Sequence, residues 1–228
     1  MSEQRRVLLA GATGLVGSRV MELAIGHPWL HLIALTRREA PMPRGVRMEM
    51  LVADPDGWPE AVAAIAPDAV ICALGTTIRK AGSEEAFRAV DHDLVLSLAK
   101  AARDAEVANF VLVSSAGAGL QAKAFYLRIK AEIEAAVTKL RFRRLDILRP
   151  GLLRGSRRDD GRPLETLGKI ASPLTDLLLH GDNRRYRSID AKLVAAAAVQ
   201  CAREKTQGRW QHDNDSIRRY ARKLDGQG

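Results

Sequence analysis

The first 150 residues of the chain alternate between short apolar runs and segments with helical periodicity. Six of the apolar runs are predicted strands: Val7–Ala10, Leu30–Thr36, Val46–Ala53, Ala69–Leu74, Phe110–Ser114 and Leu145–Leu148. These runs are mostly apolar, which is typical of strands that are buried on both faces. Because parallel strands need a helical crossover between them, the pattern predicts an α/β fold with a doubly wound parallel sheet.

Helices are predicted between the strands and near the end of the chain. Their approximate bounds are Leu15–Ile25, Glu60–Ala66, Ser83–Ala105, Phe125–Leu140, Ile189–Arg203 and Asp215–Leu224. Residues 151–189 are predicted to form an irregular insertion over the carboxyl edge of the sheet, and their apolar stretch Leu174–Leu179 suits a hydrophobic wall or a dimer surface equally. We therefore expect a single domain over residues 1–228, with its core at 5–150 and a short irregular C-terminal extension on the substrate side.

A glycine-rich turn follows the first strand and opens the first helix. Its sequence is Gly11-Ala12-Thr13-Gly14-Leu15-Val16-Gly17. Gly11 permits the tight turn, Gly14 lets the backbone approach a pyrophosphate, and Gly17 lets the helix pack on the strand. The helix N-terminus offers free N–H groups and a partial positive charge to phosphates. The whole turn is therefore predicted to bind a dinucleotide, although a plain glycine-rich turn is the alternative.

The end of the second strand predicts which dinucleotide is bound. A site for NAD usually carries Asp or Glu there, for the ribose 2′-hydroxyl. This chain carries Arg37 and Arg38, and an arginine pairs with the 2′-phosphate of NADP through charge-assisted hydrogen bonds. We therefore expect NADP(H) rather than NAD(H), with Arg37 as the main contact. The acidic residue Glu39, just after the arginine pair, argues against this cofactor choice. Asp54, just past the third strand, is expected either to accept from the adenine amino group or to cap the following turn.

The fourth strand ends in Leu74-Gly75-Thr76-Thr77 and is expected beside the first strand, where the ligand crevice of such a sheet opens. Gly75 lets the backbone approach the cofactor, and Thr76 is a candidate hydrogen-bond partner of a ribose or the pyrophosphate. Leu74 belongs to the same predicted contact. Pro150 ends the sixth strand, and the backbone beyond it is expected either to meet the nicotinamide carboxamide or to be only a structural stop.

Tyr126 and Lys130 are four residues apart on a predicted helix, so both side chains lie on one face. A neighbouring ammonium favours the phenolate and makes a phenol useful for proton transfer near neutral pH. We predict that Tyr126 is the acid/base and that Lys130 tunes it and binds the nicotinamide ribose. Ser115 is predicted to hold the substrate oxygen. It is favoured over Ser114 because it comes last before the chain leaves the fifth strand.

The composition limits the classes of function. The net charge is +9, but the basic residues are scattered and aromatic residues make up only 4%, so an anionic ligand explains part of the charge better than a nucleic-acid surface does. Cys72, Cys201 and the five histidines match no metal or redox spacing, so no metal is expected. The apolar run Val7–Ala10 is too short for a signal peptide, and the run Leu193–Ala202 is too short for a membrane span. We therefore expect a cytoplasmic protein without membrane contact.

Five strings carry a resemblance to a known family: Cys72–Thr77, Val90–Asp93, Val113–Ser115, Phe125–Glu134 and Leu148–Leu153. With the glycine spacing, they resemble the short-chain dehydrogenase/reductase superfamily, and in particular its atypical NAD(P)-binding subgroup related to the Tat-interacting protein TIP30. The resemblance covers Val7–Ser156 well and the C-terminal third loosely. It implies a Rossmann domain, NADP(H) binding and a catalytic set of Ser115, Tyr126 and Lys130.

Many members of that superfamily complete a proton relay with an Asn on the fourth helix, where this chain offers Asp91 or His92. The leading hypothesis is an NADP(H)-dependent oxidoreductase that moves hydride between nicotinamide and a small carbonyl or alcohol. The alternative is an NADP(H)-binding sensor or regulatory interaction protein. Epimerase or dehydratase chemistry is a third option, for which the short tail leaves little room. A homodimer through about Glu84–Ala105 and Phe125–Leu140 is implied by the resemblance.

Overall fold

The computed structural model describes residues 4–155 and 186–226. Its strands are Arg5–Ala10 (β1), Leu30–Thr36 (β2), Met48–Val52 (β3), Ala69–Cys72 (β4), Asn109–Val113 (β5), Arg144–Leu148 (β6), Leu153–Arg154 (β7), Ile189–Asp190 (β8) and Gly208–His212 (β9). Seven of them form one sheet in the order β3-β2-β1-β4-β5-β6-β9, with every neighbouring pair parallel. The short strands β7 and β8 form a separate parallel pair.

The helices follow the strands in the manner that a parallel sheet requires. They are Leu15–Leu23 (α1), Trp58–Ile65 (α2), Ile78–Ala81 (α3), Glu84–Arg88 (α4), Val95–Asp104 (α5), Phe125–Lys139 (α6), Ala191–Arg203 (α7) and Asn214–Asp225 (α8). A π-helical segment, Ala89–Leu94, joins α4 to α5. Ser83 caps α4, since its hydroxyl accepts from the Ala86 N–H at 3.1 Å.

Helices cover both faces of the sheet. On one face α1, α7 and α8 pack over a core that includes Val7 and Leu9 of β1. On the other face α2, α5 and α6 pack over Leu8 and Ala10. Successive residues of β1 therefore enter opposite cores, which is why this strand is an unbroken apolar run in the sequence. The predicted doubly wound parallel sheet is confirmed.

The order of the strands positions the site. From β1 the chain winds outward through β2 and β3, and it then returns to place β4 on the other side of β1. In sheets of this kind the crevice at the carboxyl ends of the two strands where winding reverses is the usual ligand site. The ends of β1 and β4 meet at the Ala10–Cys72 pair, and just beyond it the Ala73 N–H donates to the Ala10 carbonyl at 2.9 Å.

All six predicted strands are present, with end points shifted by up to two residues. The seventh, β9, was not predicted from the sequence. The predicted helix Ser83–Ala105 is present, but the π-helical segment divides it. Part of the predicted insertion lies outside the described residues, and so does the whole apolar stretch Leu174–Leu179. No described helix has the length and apolar character needed to cross a bilayer.

Candidate functional site

Close backbone contacts shape the glycine turn between β1 and α1. Gly11 has a φ of +89°, and a Cβ at this residue would lie 2.4 Å from the carbonyl oxygen of Ala73. A Cβ at Gly17 would lie 2.1 Å from the carbonyl oxygen of Gly11. No side chain fits at either position. The two glycines thus let the start of α1 rest directly on the ends of β1 and β4.

The first turn of α1 is open to an anion. Gly14 is its N-cap residue, so no side chain caps the helix, and no acidic residue lies in the first turn. The side chains of Leu15 and Val16 pack into or against the core. The exposed Thr13 remains on the outer side of the turn. The positive end of the helix dipole and the uncapped N–H groups favour a phosphate at this place.

A cleft opens at the carboxyl ends of β1, β2 and β4. It is lined by Gly11–Gly14, Leu35–Arg38, Trp58, Ala73–Thr76, Lys80, Val90 and Leu94. Arg37 and Arg38 are exposed, and none of the described residues that line the cleft carries a carboxylate. The cleft therefore combines glycine backbone with cationic side chains, which is the composition that an anionic nucleotide requires.

The two acidic residues considered from the sequence do not line this cleft. Asp54 is exposed at the start of a 3₁₀ turn, Pro55–Gly57, where its side chain makes no capping hydrogen bond. Glu39 is exposed as well. Trp58 lines the cleft on this side, and its indole N–H donates to the Ala53 carbonyl at 3.1 Å.

Lys80 is a cleft residue that the sequence did not indicate. It lies on the short helix α3, which begins at the cap Thr77, whose hydroxyl accepts from the Lys80 N–H at 3.2 Å. The helix ends at Gly82, which has a φ of +87°. A capping Thr followed five residues later by Gly is a signal for one turn of helix, and it would have placed Lys80 there.

Lys130 lies next to the inner end of the cleft and is only 5% exposed. Its Nζ is 2.8 Å from Oδ1 of the fully buried Asp91. The other carboxylate oxygen of Asp91 accepts from the Thr76 N–H at 2.7 Å. Burial alone would lower the pKa of Lys130, but the charges of Asp91 and Tyr126 outweigh it, so the pKa lies above its ordinary value. A Cβ placed on Gly75 would lie 3.9 Å from Lys130 Nζ, so the cleft and this ammonium adjoin.

Tyr126 lies one turn before Lys130 on α6, and Lys130 Nζ is 5.9 Å from the centroid of its ring. The ring is half-buried against Phe87, with the two centroids 5.8 Å apart in an edge-to-face arrangement. Phe87 is fully buried and so fixes the ring from one side. The predicted pair therefore shares one face of α6, and Lys130 is the member of the pair that adjoins the cleft at Gly75.

The two serines after β5 have different surroundings. Ser114 is buried, and its hydroxyl donates to Glu134 at 2.5 Å. Glu134 also forms an ion pair with Arg149. Ser115 is half-buried, and its hydroxyl has only a 3.3 Å contact with the Ala116 carbonyl. Of the two, Ser115 is the hydroxyl that a ligand can reach.

The backbone after β6 is largely occupied within the protein. The carbonyl of Pro150 accepts from the Ala116 N–H at 2.8 Å. The N–H of Gly151 donates to Asn214 Oδ1 at 3.0 Å. These bonds support the structural interpretation of Pro150 over the carboxamide contact, because both nearby polar groups already have partners.

A comparison with known families agrees with this geometry. A model of the family described as NAD(P)H-binding matches residues 11–205, from the first glycine of the turn to just beyond α7. The chain belongs to the NAD(P)H-binding family. The predicted NAD(P)-binding Rossmann domain is thereby confirmed at this level, and a nucleotide is the small-molecule ligand that such a domain binds.

Among the relatives of this NAD(P)H-binding protein are fungal proteins named Fmp52. The protein of Emericella nidulans is 38% identical over 185 residues, which is 75% of this chain and 79% of that protein. The Fmp52-1 protein of Aspergillus terreus is 32% identical over 208 residues, which is 89% of each chain. Both are named as mitochondrial. The prediction of a cytoplasmic protein is therefore wrong. It was drawn from the shortness of two apolar runs, which does not report the compartment.

Solved structures of low identity share the fold. The Bordetella bronchiseptica enzyme WbmH, determined with NAD+, has a TM-score of 0.67 at 14% identity, covering 93% of this chain and 76% of that chain. The UDP-glucose 4-epimerase of Thermotoga maritima has a TM-score of 0.68 at 15% identity, covering 97% and 82%. These similarities show the Rossmann-type architecture of this family member.

A second buried cluster of the family member lies away from the cleft, between β6, α7 and β9. Asp146, Cys201 and His212 bring potential ligand atoms within 4.8 Å of one another. Arg144 donates to both oxygens of Asp146, at 2.6 and 2.9 Å, and His212 lies 2.8 Å from the same carboxylate. Burial raises the pKa of the Cys201 thiol well above its ordinary value. Asp146 is therefore the centre of a buried hydrogen-bonded network that links Arg144 of β6 to His212 of β9.

Proposed function

We propose that the protein is an NADP(H)-dependent oxidoreductase of the atypical short-chain dehydrogenase/reductase type. The observation that carries this proposal is the continuity of the site. The nucleotide cleft reaches Gly75, Gly75 adjoins Lys130, and Lys130 shares a helix face with Tyr126. A nicotinamide at the inner end of the cleft would then lie beside a proton-transfer group. Within the superfamily, the strings Val90–Asp93 and Phe125–Glu134 favour the subgroup related to the Tat-interacting protein TIP30.

Each residue of the set has a distinct task in this proposal. Bound nicotinamide supplies or accepts hydride at the carbon of a small carbonyl or alcohol. Tyr126 gives the proton to the carbonyl oxygen during reduction and takes it back during oxidation. The ammonium of Lys130 stabilises the phenolate form, and the Ser115 hydroxyl donates to the substrate oxygen.

A preference for NADP(H) is supported by the charge of the cleft. Arg37 and Arg38 follow β2, at the place where the ribose of the adenosine half lies in sheets of this order. A carboxylate at this place would repel a 2′-phosphate, and the described lining holds none. A guanidinium donates two parallel hydrogen bonds to a phosphate, which makes Arg37 the proposed determinant.

Replacement of Tyr126 by Phe tests the catalytic part of the proposal. We expect Tyr126→Phe to bind NADPH as the unchanged protein does and to lose about 10²- to 10⁴-fold in kcat/KM, because general acid catalysis contributes that much. The measurement is NADPH consumption with a panel of aldehydes, ketones and quinones. Tyr220→Phe is the matched control, since Tyr220 lies beside His212, away from the cleft. Equal turnover by the unchanged protein and Tyr126→Phe contradicts the assignment.

A cofactor sensor is the second candidate, and one observation favours it. Lys130 is paired with Asp91, and this ion pair gives the lysine a structural role that needs no turnover. NADPH binding without turnover of any compound in the panel would establish this alternative.

A further inference from the structure

Asp91 is a buried carboxylate to which the proposed reaction gives no direct task. It lies in the π-helical segment Ala89–Leu94, and its residue is 0% exposed. Such segments widen a helix locally, so that one side chain leaves the regular helical spacing, and they are frequent at functional sites. The next residue, His92, bonds instead to the exposed Asp93 at 2.7 Å. The structure therefore directs Asp91, and not His92, toward the inner end of the cleft.

The two oxygens of Asp91 have different partners. Oδ2 accepts the Thr76 N–H at 2.7 Å, which ties down the segment after β4 that lines the cleft. Oδ1 is 2.8 Å from Lys130 Nζ, and a Cβ placed on Gly75 would lie 3.5 Å from this same oxygen. Oδ1 is buried, and its partner among the described residues is the ammonium of Lys130, which both donates to it and balances its charge.

The surroundings of Lys130 make this pairing necessary. An ammonium that leaves water without a counter-ion is costly, and a buried lysine usually responds by losing its proton. The ionisable groups whose charges act on Lys130 are Asp91 from the π-helical segment, Tyr126 from α6 and Cys72 from β4. Two further carboxylates, Glu132 and Glu134, follow Lys130 on α6. Glu134 is engaged by Arg149, and Arg88 by Glu132. Asp91 is thus the anion left to balance Lys130 among these groups.

We infer that Asp91 is a positioning residue that keeps Lys130 charged and fixed beside Tyr126, and that ties this charge to the cofactor-lining segment at Thr76. The inference rests on the proposed function for the role of Tyr126, but the ion pair exists independently of any turnover. If it is correct, loss of the Asp91 charge lets Lys130 lose its proton, and the phenolate of Tyr126 then loses its stabilising cation. The ionisation of Tyr126 moves to higher pH.

A titration of the protein without cofactor tests this inference. Tyrosinate absorbance is followed against pH in the unchanged protein, Asp91→Asn, Lys130→Met and the double variant. Each of these four proteins is also titrated with Tyr126→Phe added, and subtraction of that curve leaves the signal of Tyr126. We expect Asp91→Asn alone to move the ionisation of Tyr126 upward by about one pH unit. In the Lys130→Met background, Asp91→Asn is expected to cause no measurable shift in the ionisation of Tyr126, because Asp91 acts through Lys130.

Two results overturn the inference. An unchanged titration in Asp91→Asn means that the carboxylate only supports the fold. A downward shift means that it acts on Tyr126 directly as a repelling charge. If Asp91→Asn does not fold, the double variant Asp91→Asn with Lys130→Met decides between the outcomes. The inference is supported if this double variant folds, and it is overturned if the double variant also fails to fold. Failure of the proposed function looks different, because a protein that turns over no substrate can still show the expected titration.

Discussion

Arg37 and Arg38 directly follow the strand β2 and line the cleft, and their contribution can be measured one residue at a time. We expect Arg37→Ala to weaken NADPH binding about 10- to 100-fold, because one charge-assisted pair with the 2′-phosphate is lost. NADH carries no such phosphate, so its dissociation constant is expected to change less than about twofold. Titration of the nicotinamide fluorescence of both dinucleotides measures the two constants.

Lys80→Ala is the matched control for this prediction, since Lys80 lines the same cleft from α3. Lys80→Ala is expected to weaken the binding of both dinucleotides alike, because a cation of the cleft outside the 2′-phosphate site would act on the phosphates that NADH and NADPH share. An equal loss of NADPH and NADH affinity in Arg37→Ala contradicts the assignment of the 2′-phosphate site.

At the scale of single residues, the sequence was sufficient where a residue's structural role depends only on its neighbours along the chain. The glycine spacing placed Gly11 and Gly17 correctly because strand, turn and helix are contiguous there. The choice between Asp91 and His92 was out of reach, because a π-helical segment changes the direction of side chains without a visible mark in the sequence. Trp58 and Lys80 were missed for another reason: they come from helices whose approach to the cleft depends on the tertiary fold.

At the scale of elements, the shape of the cleft depends on the close contact between α1 and the glycine turn. We expect Gly17→Ala to destabilise the protein by about 3 kcal/mol, because its Cβ would lie 2.1 Å from a backbone oxygen and the helix must move. NADPH binding is expected to be lost with it. Urea unfolding and NADPH fluorescence are the measurements.

Gly26→Ala is the control for this helix, since the nearest atom to its added Cβ is 4.0 Å away. It is expected to change stability by less than about 1 kcal/mol and to leave NADPH binding intact. If both variants behave alike, the close packing of α1 on the turn does not hold the cleft together.

The elements themselves were predictable where burial dictated the pattern. Strands β1, β2, β4 and β5 are mostly apolar and buried because helices cover both faces of the sheet, so their apolar runs were sufficient to locate them. The edge strand β9 has the sequence Gly-Arg-Trp-Gln-His and gives no such signal. Its docking depends on distant groups: the indole of Trp210 stacks under the Arg144 guanidinium at 4.1 Å, and Asp146 holds His212.

For the molecule as a whole, the Asp146 network joins the C-terminal segment to the sheet. We expect Asp146→Asn to lower the free energy of unfolding by about 3–5 kcal/mol, because Arg144 then stays buried without its counter-ion. Affinity for NADPH is expected to stay unchanged, since the network does not line the cleft. Urea unfolding monitored by Trp210 fluorescence measures the loss.

The exposed Asp215 on α8 provides the control, and Asp215→Asn is expected to change stability by less than about 0.5 kcal/mol. A similarly small effect of Asp146→Asn means that β9 and α8 are held by apolar packing alone.

The strand order also divides the seven-stranded sheet into two parts. Strands β2 and β3 extend from β1 on one side, whereas β5, β6 and β9 extend from β4 on the other, so only the β1–β4 ladder joins the two parts of the sheet. A dinucleotide bound as proposed would lie across that ladder, with its adenosine on one part of the sheet and its nicotinamide on the other. It would then bridge the two parts, whereas a mononucleotide would contact only one of them.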